Sequence, residues 1–328
     1  MNRPSDTIGA HDASPLLDDD ALDIVDPPRP NRRQQAFLIG FGALAVIALG
    51  YALWRNWDSV SEYEWDIAPG WLVAGALIVM LSYTWQGLTY CRSVEWLAPE
   101  HPPANVHLAI WAKSLIARYI PGNVMLVIGR AVMAREWGVP RRTTLAVTVY
   151  EQIIGLGIAA IAAIGYVAGY GNPGDPRLLW VLVAVPVVLV ALHPVPFRWL
   201  SERALRLIRR PPLDAVFSER QVLVLVLRYA IGTALLCVGV WALVRSAAGP
   251  VIGGPLEVGT GFLMAFVISF VAFILPSGIG VRDGLLALVF ARHVPWGVAL
   301  ALAVGLRFAL IVIEVVFVGL ATLVGRRR

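Results

Sequence analysis

Seven ionisable side chains interrupt otherwise apolar sequence: Lys113, Arg118, Arg130, Glu151, Arg228, Arg307 and Glu314. Two more, Arg282 and Asp283, follow small residues in "PSGIGVRDG". A charge near a bilayer centre costs at least ~2.5 kcal/mol, so such residues are expected to face a cavity or one another. Together they are six cations and three anions. A polar hollow with surplus positive charge suits a negatively charged ligand, and arginine can fork onto phosphate oxygens. Arg307 and Glu314, seven apart, share one helix face. Thr144, Thr148, Glu151 and Gly155 form a second polar or small stripe.

Two breaks lie among these charges. In "ARYIPGNVMLVIGR" Pro121, Gly122 and Asn123 interrupt an apolar segment between Arg118 and Arg130. In "PSGIGVRDG" Ser277, Gly278 and Gly280 expose backbone just before Arg282. Backbone freed at such a break is tolerated only against protein or water. The helix that restarts after it points N–H groups and a positive dipole end back at the break, which is an anion site by geometry. The candidate head-group residues are therefore Arg118, Gly122, Asn123, Arg130, Glu151, Ser277, Gly278, Gly280, Arg282, Arg307 and Glu314. Competing roles stay open. Arg118, Arg228 and Lys113 suit snorkelling to the interface, and Arg130 suits the cytoplasmic end of its helix. Glu151 and Arg307 suit a structural ion pair, and Asp283 suits a helix cap. Glu151 or Glu314 could carry a proton.

The elements that must hold these residues are set by hydropathy. Of 328 residues, 58% are hydrophobic, and the mean hydropathy is +0.70. Continuous apolar runs approach or exceed the ~20 residues that cross a bilayer, and they lack the alternation of barrel strands. The fold class is all-α: a polytopic integral membrane protein with about six full spans and two broken re-entrant hairpins in an inverted repeat. The spans are read as 36–54, 68–90, 143–170, 178–195, 221–246 and 297–324, and the broken segments as 105–135 and 259–292. Each hairpin arm is about 14 residues, or ~21 Å of helix, against a core of ~30 Å. Two thin full spans in place of each hairpin would leave the orientation unchanged.

Arginines precede the first and third spans, fill the long loop before Gln221 and end the chain. The positive-inside rule puts all of them in the cytoplasm, with both termini. The tryptophans at 54, 57, 65, 71 and 96 are expected at the interfaces. Residues 1–35 form a polar tail with an acidic block, prolines and a basic cluster, expected to be a disordered cytoplasmic segment able to dock a partner. Residues 36–325 make the membrane domain, and 326–328 a basic cytoplasmic end.

The broken segments match each other. "PGNVMLVIGRAVMAREWGVP" and "PSGIGVRDGLLALVFARHVP" align without a gap, pairing Pro121 with Pro276, Gly129 with Gly284, and Val139-Pro140 with Val294-Pro295. Each is followed by a long span. Entering from opposite faces, they would form an inverted repeat of the kind that secondary transporters use.

These stretches resemble the lysylphosphatidylglycerol synthase transmembrane region, also described as flippase-like or UPF0104-type membrane proteins. The resemblance rests on Arg118, Tyr119, Pro121, Gly122, Gly129, Arg130 and Glu151, then on Pro276, Ser277, Gly278, Gly280, Arg282 and Asp283, with Ser277 where glycine is commoner. It covers roughly residues 36–325. It implies a unit that moves or binds lipid between leaflets. The family's separate soluble aminoacyl transferase domain finds no room in this chain, so a stand-alone translocator in the cell membrane is expected rather than a synthase. Its partner would be a lipid with an anionic head group, a phospholipid or a polyprenyl-phosphate-linked one.

Other classes fit less well. The net charge of +5 sits at helix ends, which points to membrane orientation and not to nucleic acid. Cys91 and Cys237 form no CxxC, the histidines have no metal-ligand spacing, and no cofactor is expected. A polyprenyl-dependent glycosyltransferase would need paired acids, while Asp58, Glu62, Glu64 and Asp66 are scattered. A non-transporting scaffold or accessory subunit is the other alternative, and no enzyme activity is expected.

Overall fold

The computed structural model describes residues 47, 50–117, 124–171, 217–271 and 280–326. The tail, most of the first span, the 178–195 span, the long basic loop and both breaks lie outside them. So do five candidate residues: Arg118, Gly122, Asn123, Ser277 and Gly278. The described residues are helical apart from turns and one isolated bridge between Asp66 and Ala248.

A short α1 (Trp57–Ser61) precedes α2 (Pro69–Leu97), α3 (Ala104–Ala117), α4 (Val124–Arg135) and α5 (Arg141–Tyr170). Then come α6 (Glu219–Ala248), a 3-10 turn (Gly249–Ile252), α7 (Pro255–Val271), α8 (Val281–Phe290) and α9 (Trp296–Arg326). Among the described residues four helices, α2, α5, α9 and the unit beginning with α6, are long and apolar enough to cross a membrane. The remaining apolar helices are shorter. The arms α3 and α4 have 14 and 12 residues, and α7 and α8 have 17 and 10. At ~1.5 Å per residue none reaches across ~30 Å. The long helices overrun the expected spans at their ends: α2 continues to Leu97, and α5 begins at Arg141. Hydropathy marks the apolar stretch alone, whereas a helix continues into the polar interface, where Arg and Glu are solvated.

Local chemistry sets several ends. Pro69 opens α2 at its first turn, where its missing N–H is no loss. Ser218 caps α6: its Oγ accepts from the Gln221 N–H at 3.3 Å, and its own N–H donates to Gln221 Oε1 at 2.9 Å. After α4 the chain turns at Gly138, whose φ of 80° is left-handed. That conformation favours glycine, and the Glu100 carboxylate lies close beside it.

The order long, short, short, long occurs twice, as α2–α5 and as α6–α9. The two leading helices, α2 and α6, pack against each other. They run antiparallel, since Gly75 meets Leu243 while Ser82 Oγ donates to the Gly232 carbonyl at 2.8 Å. Their close approach depends on glycine: a Cβ on Gly239 would come within 2.7 Å of Val79 Cγ2. The other contacts are exchanged. The first arm of each hairpin packs on the last helix of the other half, α3 on α9 and α7 on α5. Each second arm packs on the long helix that follows it in sequence, α4 on α5 and α8 on α9.

Chain segments collect at two ends. At one, Gly297 lies beside Asn56, Asp66 bridges Ala248, and Arg292 reaches Tyr170. At the other, Glu100 meets Gly138, Asn105 meets the Val324 carbonyl, and Trp96 meets Phe217. Between them the outer faces are apolar. Leu77 and Leu81 of α2, Leu223 and Leu227 of α6, and Phe308 and Val312 of α9 are all more than half exposed. A surface of that kind needs lipid to cover it.

Candidate functional site

In the first half the charged centre is Arg130 on α4. It is 1% exposed. Its Nη1 donates to Glu151 Oε2 on α5, and its Nε donates to Ser114 Oγ on α3 at 3.0 Å. The guanidinium lies 4.4 Å from the centroid of the Tyr90 ring on α2. Glu151 Oε1 accepts from Trp111 Nε1 at 2.8 Å, and Ser114 Oγ in turn donates to the Trp111 carbonyl at 2.6 Å. Four helices are tied by one ion pair in which both Glu151 carboxylate oxygens accept a hydrogen bond and the Arg130 guanidinium donates through Nε and Nη1. That is the condition under which a buried pair is tolerated.

The second half has a counterpart of reversed polarity. Asp283 on α8 is 1% exposed. Its Oδ2 accepts from Arg307 Nη1 on α9 at 2.6 Å and from the Gly280 N–H at 3.1 Å. It therefore caps α8 and anchors α9 at once, while Gly280 takes a φ of 85°. Beside it Arg282 lies over the Phe262 ring at 4.4 Å and near Phe266 at 5.9 Å, both on α7.

These contacts change several expectations. Glu151 pairs with Arg130 and not with Arg307, whose partner is Asp283. The partner in each case is on the preceding hairpin arm, which the packing of α4 on α5 and of α8 on α9 brings within reach. Arg130 does not end its helix near the surface, because α4 runs on to Arg135 and folds the residue inward. Lys113 is exposed and leaves the set. Glu314 is buried on α9 at 3% exposure. Arg228 is only half-buried, at the α2–α6 interface. Among the described residues Arg130, Arg282 and Arg307 stand against Glu151, Asp283 and Glu314, so the cation surplus expected from the sequence does not remain.

Sequence reasoning missed a third cluster. Glu257 in the first turn of α7 accepts from Arg292 Nε at 3.2 Å, and His293 Nε2 lies 3.0 Å from the same oxygen. Arg292 Nη1 donates to the Tyr170 carbonyl at 2.8 Å. The cluster joins the end of α5 to the outer ends of α7 and α8. Its one signal was Glu257, an acid entering an apolar run. Trp111, Ser114 and Tyr90 were also missed, since a Trp or Tyr in a span has no signature that separates a polar contact from packing.

Helices of membrane-spanning length and an apolar exterior define a polytopic helical membrane protein. The chain matches the lysylphosphatidylglycerol synthase TM region over residues 37–319 and belongs to that family, one that acts on membrane lipids. No curated protein and no solved structure matches it.

Proposed function

We propose that the protein translocates a lipid with an anionic head group between the leaflets of the cell membrane, its two halves forming an inverted repeat. The observation that carries this reading is the exchanged packing of the halves. Each hairpin's first arm lies on the other half's last helix, and each second arm is ion-paired to its own last helix, as Arg130–Glu151 and as Asp283–Arg307. Two short hairpins entering from opposite faces suit this packing. Rocking one half against the other would then expose a shared interior to each leaflet in turn. Arg282, a cation at the start of α8, favours a negative head group. Arg141, Arg142, Arg220 and Arg326 gather at the end that holds Glu100 and Gly138, which favours that end as cytoplasmic. No covalent step is required. The test is flipping of labelled phosphatidylglycerol in proteoliposomes. The wild type should flip it, and Arg282→Ala should slow it about tenfold or more, the scale of one lost charge-assisted contact. An unchanged rate in the variant would remove Arg282 and the anionic head group from the reading.

A further inference from the structure

The α2–α6 pair, which holds the halves together, carries a stacked arginine toward each end. At one end the Arg245 guanidinium lies 5.0 Å from the Trp71 centroid and 5.4 Å from the Trp241 centroid. The two rings meet edge to face at 5.2 Å, and Trp241 Nε1 is itself tied to the Gly253 carbonyl at 3.0 Å. Further along the same interface the Arg228 guanidinium lies 5.0 Å from the Trp85 centroid. Trp85 Nε1 donates to the Arg228 carbonyl at 2.7 Å, and Arg228 Nε donates to Thr89 Oγ1 at 3.3 Å. In each case an α6 arginine is held by an α2 tryptophan.

Neither arginine has a carboxylate partner among the described residues. Among the described residues Arg228 donates through Nε alone, and its terminal nitrogens, like the edge of Arg245, are placed to meet another acceptor. The spacing matters. Seventeen residues of α6 separate the two, or ~26 Å of rise, close to the ~30 Å of a hydrocarbon core. Helix α6 has 30 residues, ~45 Å, so its excess length accommodates Arg228 well inside its first turns and Arg245 near its last. When one guanidinium reaches the head-group layer of one leaflet, the other reaches that of the opposite leaflet. A phosphodiester is the acceptor that both layers supply, and a guanidinium edge takes two of its oxygens at once.

We infer that Arg245 with Trp71 and Trp241, and Arg228 with Trp85 and Thr89, are two phosphate stations for phospholipid, one in each leaflet. They flank the route assigned above, and as stations on that route they rest on the translocator reading. The stations recognise the phosphate and not the group beyond it.

The full chain in neutral detergent is titrated with phosphatidylglycerol, with diacylglycerol of equal acyl length, and with inorganic phosphate. Retained lipid is counted by native mass spectrometry. Phosphatidylglycerol should be held at two sites that diacylglycerol does not occupy, and inorganic phosphate should not displace it. Arg245→Met and Arg228→Met should each weaken one site about tenfold, and together both. Arg→Lys at either position should retain part of the binding, since charge survives without the fork. Equal retention of diacylglycerol by the wild type overturns the proposal, as does displacement by inorganic phosphate. Unchanged retention in a Met variant that melts like the wild type does so too. A Met variant that fails to fold leaves the wild-type comparison to decide. Binding is read without transport. Two occupied stations in a protein that flips nothing would therefore sink the translocator alone, and flipping without phosphate-dependent retention would sink the stations alone.

Discussion

Arg130 stands among the largest fully buried side chains of the protein, and its surroundings account for its survival there. Glu151, Ser114 and the Tyr90 ring each face a different part of the guanidinium. Removing one partner leaves a buried charge uncompensated, which costs roughly 3–5 kcal/mol. Glu151→Gln should therefore lower the melting temperature in detergent sharply, while Arg130→Met combined with Glu151→Leu should recover much of the loss. A double variant no more stable than Glu151→Gln would show that the site holds the fold by more than charge balance. That Arg130 and Glu151 are inside was legible, because charge in apolar sequence has few other places to go. Their pairing was not. Both Arg130 and Arg307 are reasonable partners for Glu151 by composition, and only the packing of α4 on α5 brings one of them within reach.

Helix contacts decide the next level. Gly75 and Gly239 let α2 and α6 approach until a Cβ on Gly75 would lie 2.9 Å from the Leu243 backbone nitrogen. Backbone at that distance cannot swing aside as a side chain does. Gly239→Leu should destabilise by about 1–3 kcal/mol, read as a lower melting temperature. It should also weaken both Arg–Trp pairs, because they share that interface. A larger residue tolerated at Gly239 without loss would mean that α2 and α6 separate freely. In the sequence the long helices announced themselves by continuous apolarity. The glycines of α2 and α6 gave no such notice, since the same residue serves a kink, a cap or a close approach, and only the neighbouring helix tells them apart.

For the whole molecule, the grouping of segments at two ends makes a sided prediction. In a background with Cys91 and Cys237 replaced by alanine, cysteines at Ser61 and Gly254 should react with an impermeant thiol reagent from outside cells. Cysteines at Glu100 and Arg142 should react only after the membrane is opened. Mixed labelling within either pair would break the proposed topology, and reversal of both would invert it. The sequence alone determined the class, the family, the arginine asymmetry and the gapless match between residues 121–140 and 276–295. Those properties are carried by runs and spacings along one chain. The tertiary structure decided which charges neutralise one another, that each half lends a short arm to the other's last helix, and that arginines of α6 rest on tryptophans of α2. Such contacts join residues scores of positions apart, and a bilayer, which drives every apolar helix inward alike, leaves their choice to packing and to the few polar groups that must find a partner.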